Sequence, residues 1–313
     1  MASDESTRLL EAAREDASTD EVVTWDGNDD SENPINWSPK KIWSHVAIVS
    51  LLTFMVPLGA TMFAPAIQKV MDDLGSTNEM LASLTVSVYI LGWALGPLLL
   101  APLSEVQGRL AIYTASNVLY VGFTVGCALA PSVEVLVLFR FLAGAVGSTP
   151  LTIGGGTISD VVPVQRRGLA LSLYMFGPIL GPSVGPLAGG YLTDTLGWRW
   201  IFWTIAIVYG CLTVAQTLFM RETYPAAILE RKTRHLRQTT GNSALRSALD
   251  SGLSTRHVLA RAILRPAKIT VKSPVNALLS LVSAPSTASR RAASGSRSWA
   301  TASATWSGWP RSR

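Results

Sequence analysis

The chain has 313 residues, 48% of them hydrophobic and only 15% charged, and its mean hydropathy is positive, a composition that argues against a soluble protein of this size. The net charge of +5 comes from the last stretch, because residues 283–313 hold five Arg and no acid; the rest sums to neutrality and nucleic-acid binding loses its support. Cys127 and Cys211 both sit in apolar runs, which excludes a disulfide framework and a spaced metal-ligand set. The sequence carries no phosphate-binding loop, His/Cys ligand cluster or nucleophile elbow, so no enzyme activity, cofactor or metal is expected.

Residues 1–41 are rich in Asp, Glu and Ser without an apolar core, which predicts a disordered acidic tail rather than a cleaved signal. Six apolar stretches follow, at about 43–67, 80–103, 111–132, 135–157, 169–192 and 200–220, each near the ~20 residues that cross a hydrocarbon core. A soluble bundle would show a polar stripe at helical spacing, whereas Leu81 to Leu103 offers only Ser, Thr and Tyr as polar groups. The expected class is therefore an all-α membrane protein, with residues 42–220 forming a six-helix transmembrane domain in the lipid bilayer. Lys40, Lys41, Arg109, Arg166, Arg167 and Arg221 all fall on one side of it, which the positive-inside bias assigns to the cytoplasm together with both ends of the unit.

Residues 221–273 carry eleven Lys or Arg against three acids and read as a basic cytoplasmic linker, partly helical. It is either solvated under the same bias or laid on anionic headgroups. A seventh apolar run over 274–282 stops far short of a span. Residues 283–313 are a low-complexity mixture of Ser, Ala, Arg and Trp, as in a disordered tail produced by truncation or a shifted frame.

Four local patterns carry chemistry. The turn after the second span holds Glu105, Gly108 and Arg109; glycine tolerates the positive φ of a sharp reversal, and the two charges sit at helix ends, where they meet the helix dipoles. In the fourth span Arg140 is the only permanent charge within any apolar core. An intramembrane charge is a functional candidate by default; the competing reading is snorkelling, since Arg140 lies roughly 7–8 Å from the outer end of its helix. The same span leaves the membrane through Gly154, Gly155, Gly156 and Asp160, ahead of Arg166 and Arg167. On the residues alone Asp160 is an ordinary helix-end acid among surface charges, where an exposed pair is worth about 0–1 kcal/mol.

The fifth span places Gly177, Gly181, Gly185 and Gly189 four residues apart, with Pro178, Pro182 and Pro186 after three of them and Gly190 at the end. Glycine at every fourth position clears a groove for another backbone. Each proline removes a backbone hydrogen bond, at about 3 kcal/mol in an ordinary helix, and in lipid the freed carbonyl must be satisfied elsewhere. Packing alone explains the glycines; a bendable helix at a moving interface explains both. Trp198, Trp200 and Trp203 read as interfacial anchors rather than a cation cage, and His45 as an interfacial histidine rather than a proton carrier.

The stretch 96–110 resembles the signature between helices two and three of the major facilitator superfamily, with Glu105, Gly108 and Arg109 in their family places. It departs at Ala101, Val106 and Leu110, where Gly, a basic residue and a second Arg or Lys are usual. Arg140, followed by Ala143 to Gly147, resembles the fourth-helix motif, and Asp160 stands where the family has an acid paired with the loop arginine. The 177–190 pattern closely resembles the helix-five antiporter signature of drug/proton exporters. Leu196–Trp203 and Arg221–Pro225 look like fungal twelve-span members, and the resemblance extends over about residues 33–282.

This resemblance implies the amino-terminal six-helix half of a major facilitator fold, built as two inverted three-helix repeats. It implies a cytoplasmic latch of Glu105, Arg109 and Asp160, proton coupling at Arg140, and a Gly/Pro helix at the sliding interface. The implied activity is proton-driven export of an amphipathic or cationic drug, polyamine or toxin across the plasma membrane. That activity needs a second half, so three readings stay open: a truncated antiporter; a non-transporting six-helix protein that regulates or dimerises with a full-length relative; and a homodimeric carrier.

Overall fold

A computed structural model of the chain describes residues 22–249. The sequence elements read at 274–282 and 283–313, the end of the basic linker and the first part of the acidic tail lie outside the described residues. Among the described residues six spans are long and apolar enough to cross a membrane: Pro39–Asp73, Glu79–Gln107, Arg109–Ala128, Val133–Val161, Val164–Thr195 and Arg199–Phe219. Most run further than the apolar windows, because the helices continue past their hydrocarbon-matched cores. Asn78 accepts the N–H groups of Met80 and Leu81 at the start of the second span.

Proline and serine divide two of the spans. The first consists of α1 (Pro39–Met62), a 3-10 turn Ala64–Ala66 containing Pro65, and α2 (Ile67–Asp73). The second and third are α3 (Glu79–Gln107) and α4 (Arg109–Ala128), joined by Gly108 alone at φ 92°. The fourth is α5 (Val133–Gly147) and α6 (Thr149–Val161), broken at Ser148 just before Pro150. The fifth and sixth are α7 (Val164–Thr195) and α8 (Arg199–Phe219), and α9 (Pro225–Thr240) follows on the face that carries Arg109, Arg166 and Arg221, called here the basic face.

The spans pair in an interlocked order. Span one packs chiefly on span five, span four on span two, and span three on span six and span four, with span six also touching span one. If spans one to three and four to six are taken as repeats, the first helix of each pairs with the second helix of the other, and the third helices pair together. That is the pattern of two three-helix repeats related by a pseudo-two-fold axis. Glycine makes both swapped seams close. A Cβ at Gly177 would sit 3.1 Å from the Phe54 backbone and one at Gly181 2.9 Å from the Leu58 nitrogen. One at Gly185 would strike the Thr61 hydroxyl, and one at Gly189 the Met62 carbonyl oxygen. On the other seam, a Cβ at Gly92 or Gly96 would strike the carbonyl oxygens of Phe141 and Ala145, and one at Gly144 that of Tyr89. The prolines of α7 lie off the groove, with Pro182 and Pro186 exposed.

Two sequence expectations at the helix ends need correction. Trp198 is not an interfacial anchor: it is buried, and its indole N–H donates to the Asp73 carboxylate at 2.8 Å, tying α2 to the start of α8. Trp200 is the exposed member of that cluster. His45, at the same depth as the span ends, is fully buried rather than exposed to the interface. Its Nε2 accepts the Arg221 N–H at 3.1 Å, so its Nδ1 is the nitrogen that donates to the Lys41 carbonyl at 2.8 Å. A second ring proton would face that N–H, so the site holds a neutral imidazole.

The described part of the acidic tail, residues 22–41, is ordered, although its composition predicts a disordered segment. Strand β1 (Val22–Val23) pairs in parallel with β2 (Arg246–Ser247), and Lys232 of α9 meets Asp26 at 2.8 Å and Asp30 at 3.6 Å. Composition marks this stretch as solvated because its partners are cations more than 200 residues away. The N–H groups of Asp26 and Glu32, and then Lys232, hold the Asp30 carboxyl below its ordinary value. Desolvation lowers Lys232, but Asp26, Asp30 and Glu32 raise it further, for a net rise.

The Asp30 contribution is present above its unfolded pKa and lost as pH falls through the lower folded one. That of Lys232 is present below its unfolded pKa and lost as pH rises through the higher folded one. A spin-label distance between Asn28 and Gln238 is therefore expected to stay narrow from about pH 4 to about pH 10 and to broaden outside that window. A narrow distribution well below pH 3 would contradict the ion-pair account.

Candidate functional site

At the basic face, Gly108 reverses the chain and leaves the first N–H groups of α4 without helical partners. Glu222, arriving from the end of α8, supplies them: its carboxylate accepts the N–H of Arg109 at 3.0 Å and of Leu110 at 3.1 Å, and also those of Thr223 and Tyr224 at 3.0 Å. A Cβ at position 108 would strike the same carboxylate. Gly108 is thus required by its positive φ and by the close approach of Glu222.

The Arg109 side chain crosses to α6, where Nε donates to Asp160 Oδ2 at 2.6 Å and Nη1 to the Ile153 carbonyl at 3.4 Å. Its guanidinium lies against Gly156, where a Cβ would overlap it, and packs over the Tyr224 ring at 5.3 Å. The pair is only 14% and 16% exposed, so the low value of an exposed pair does not apply; removing one partner from such a setting leaves an uncompensated buried charge. Glu105 stays exposed and forms no ion pair or hydrogen bond among the described residues. Its carboxylate acts at a distance: burial first, then Glu105, raises the Tyr224 phenol above its ordinary value. The residue that completes the cluster is Glu222, which sequence reading places only in a closing motif.

Inside the bundle, Arg140 is 2% exposed and does not snorkel. Its guanidinium is caged by Phe63 at 4.3 Å, Tyr89 at 5.0 Å and Phe202 at 5.9 Å. Its Nε and Nη2 are buried without a hydrogen-bond partner. Cation–π contacts of this kind contribute about 0.5–2 kcal/mol each, less than the several kcal/mol by which burial penalises a charge. Tyr89 opens a buried polar chain from this point. Its hydroxyl meets that of Tyr120 at 3.4 Å, and the Tyr120 ring packs at a tilt of 48° against Tyr209 with centroids 4.4 Å apart. Tyr209 donates to Asn117 at 2.9 Å, Asn117 to Gln216 at 3.4 Å, and Gln216 to Thr114 at 3.3 Å. The chain joins α3, α4 and α8. Sequence reading does not find it, although its signal is there: Tyr113, Asn117 and Tyr120 in span three, and Tyr209, Thr213 and Gln216 in span six, recur at helical spacing along one face of each.

Six apolar spans in two swapped, glycine-lined seams, with an ion pair at one surface and an unpartnered guanidinium within, define a multi-pass membrane protein with the half-unit architecture of secondary carriers. The Major Facilitator Superfamily profile matches residues 49–305. The chain belongs to that superfamily. It is 54% identical over 263 residues to the efflux pump radE of Floropilus chiversii, covering 84% of this chain and 49% of that protein. It is 48% identical over 267 residues to the MFS-type transporter atr4 of Stereocaulon alpinum, covering 85% and 48%. The chain therefore spans about half the length of these curated relatives. A solved D-xylose–proton symporter shares the fold with a TM-score of 0.53 at 16% identity, over 74% of this chain and 69% of that one.

Proposed function

We propose that this chain forms one half of a proton-coupled efflux carrier, with the basic face in the cytoplasm and the plasma membrane as its site. The observation that carries this reading is the Arg109–Asp160 pair, held over Gly156 and braced by Glu222 through the α4 backbone. It ties the start of span three to the end of span four, at the opposite end of these helices from the 129–132 turn that joins the two repeats in sequence, so breaking and remaking it changes how the repeats meet. Arg140 serves the coupling step: its unmet hydrogen-bonding capacity is reserved for a carboxylate or substrate group supplied by the second half. The relatives named above, one of them an efflux pump, support export; the cargo in this reading is a small amphipathic or cationic compound.

Arg140→Met separates function from folding. Replacing a buried charge by an apolar side chain of similar volume is often neutral or stabilising, so the unfolding midpoint in detergent is expected to hold or rise. Proteoliposomes acidified inside and holding this chain together with the second six-span half of a full-length relative are expected to accumulate ethidium with the unchanged chain and not with the variant. Failure of the folded, unchanged chain to support ethidium accumulation under a pH gradient in that pairing would remove the carrier reading.

A second reading rests on the outward faces of α3 and α7, the least buried of the spans, which carry Leu91, Leu99, Ile179 and Leu187 exposed. A homodimer or a complex with a full-length relative would cover them. A dimer mass in light scattering favours this reading; a monomer that transports rules it out.

A further inference from the structure

The basic face holds a cavity of about 900 Å³ between the 22–38 segment, α9 and the ends of α1 and α8. Lys41, Arg221, Arg231, Lys232 and His235 line it together with Trp37. Its acids are Glu32 and Glu222. Glu222 is committed to four backbone N–H groups, and Lys232 is matched by Asp26 and Asp30. Among the described residues Lys41, Arg221 and Arg231 have no carboxylate partner within ion-pair distance. Three unmatched cations around one hollow repel one another, and an anion between them would turn that repulsion into attraction.

The depth of the cavity identifies the anion's carrier. Lys41 stands in the first turn of α1 and Arg221 just past the end of α8, so the cavity lies level with two span ends, where headgroups reside. Lys41 Nζ sits 3.4 Å over the ring of the buried Trp37, an aromatic at the boundary between apolar and charged surroundings.

We propose that this cavity binds the headgroup of an anionic phospholipid carrying more than one negative charge. Three cations can match a phosphodiester plus a further phosphate, whereas one zwitterionic headgroup leaves them unmatched. The cytoplasmic orientation proposed above enters only in assigning the lipid to the anionic inner leaflet. Because binding is read without any flux, the site and the carrier reading stand or fall separately.

The test is native mass spectrometry of the chain in a neutral detergent with a short-chain phosphatidylinositol phosphate. Phosphatidylcholine, inorganic phosphate and free inositol bisphosphate are titrated in parallel. One lipid per chain is expected, resistant to excess phosphatidylcholine. Arg221→Gln/Arg231→Gln, both at exposed positions, is expected to weaken it on the order of 25-fold, at about five-fold per surface charge. Arg234→Gln, outside the cavity and paired with Glu230, is expected to leave it within two-fold, roughly the scatter of a surface ion pair. Circular dichroism checks that each variant is folded. Equal binding of phosphatidylcholine, or equal losses in the cavity and Arg234 variants, would overturn a built site. Inorganic phosphate or inositol bisphosphate binding as tightly as the lipid would overturn the lipid as occupant.

Discussion

Gly189→Ala is expected to destabilise the bundle by about 2 kcal/mol, lowering its unfolding midpoint in detergent by roughly 4–8 °C, while Gly190→Ala, one residue along, raises it. Both substitutions remove a helical glycine, which alone favours folding by up to about 1 kcal/mol. They differ in what the new methyl group meets. At position 189 it would overlap the Met62 carbonyl oxygen, whereas at position 190 nothing lies within 4 Å. Backbone cannot swing aside as a side chain can, so α1 and α7 must separate and lose the contacts of the seam. Gly96→Ala, which meets the Ala145 carbonyl, is expected to behave like Gly189→Ala on the mirrored seam. Raised midpoints at both 189 and 190 would show that propensity, not the seam, governs this helix.

The second large effect is at Glu222. Glu222→Ala removes one carboxylate that accepts from four backbone N–H groups in a buried position. Hydrogen bonds to a charged acceptor contribute roughly 1.5–3 kcal/mol each, so with water replacing part of the set the expected loss is about 3 kcal/mol or more. Glu222→Gln keeps one carbonyl oxygen for Arg109, Thr223 and Tyr224 but turns an amide toward the Leu110 N–H, and is expected to lose about half as much. Unfolding midpoints order the three proteins. Equal stability of the glutamine and alanine variants would mean that the carboxylate is not what holds the turn.

The six spans were legible because lipid demands long apolar runs, and the groove of α7 because glycine at every fourth residue is a one-dimensional record of a helix face. The opposite seam left a weaker record: Gly92 and Gly96 are four apart, but their counterpart Gly144 stands in another span, and nothing local links them. The approach of Arg109 to Asp160 followed from the family resemblance, not from spacing. What completes the cluster did not follow, since Glu222 reaches Arg109 from 113 residues away. Glu105, nearer in sequence, remains in solvent. Ordering of residues 22–41 was hidden for the same reason: an acidic segment reads as solvated until the lysine that meets it is placed.

The swapped pairing also sets the timetable of biogenesis. Span one finds its partner only when span five has been made, and span two only with span four. At about 5–20 residues per second, the glycine-matched surface of α1 waits on the order of ten seconds in the bilayer after its own synthesis. Until span four arrives the nascent chain holds inserted helices with no finished seam, and until span five arrives it holds only one, so the arrival of the fourth and fifth spans, rather than the insertion of the first, completes the packed unit.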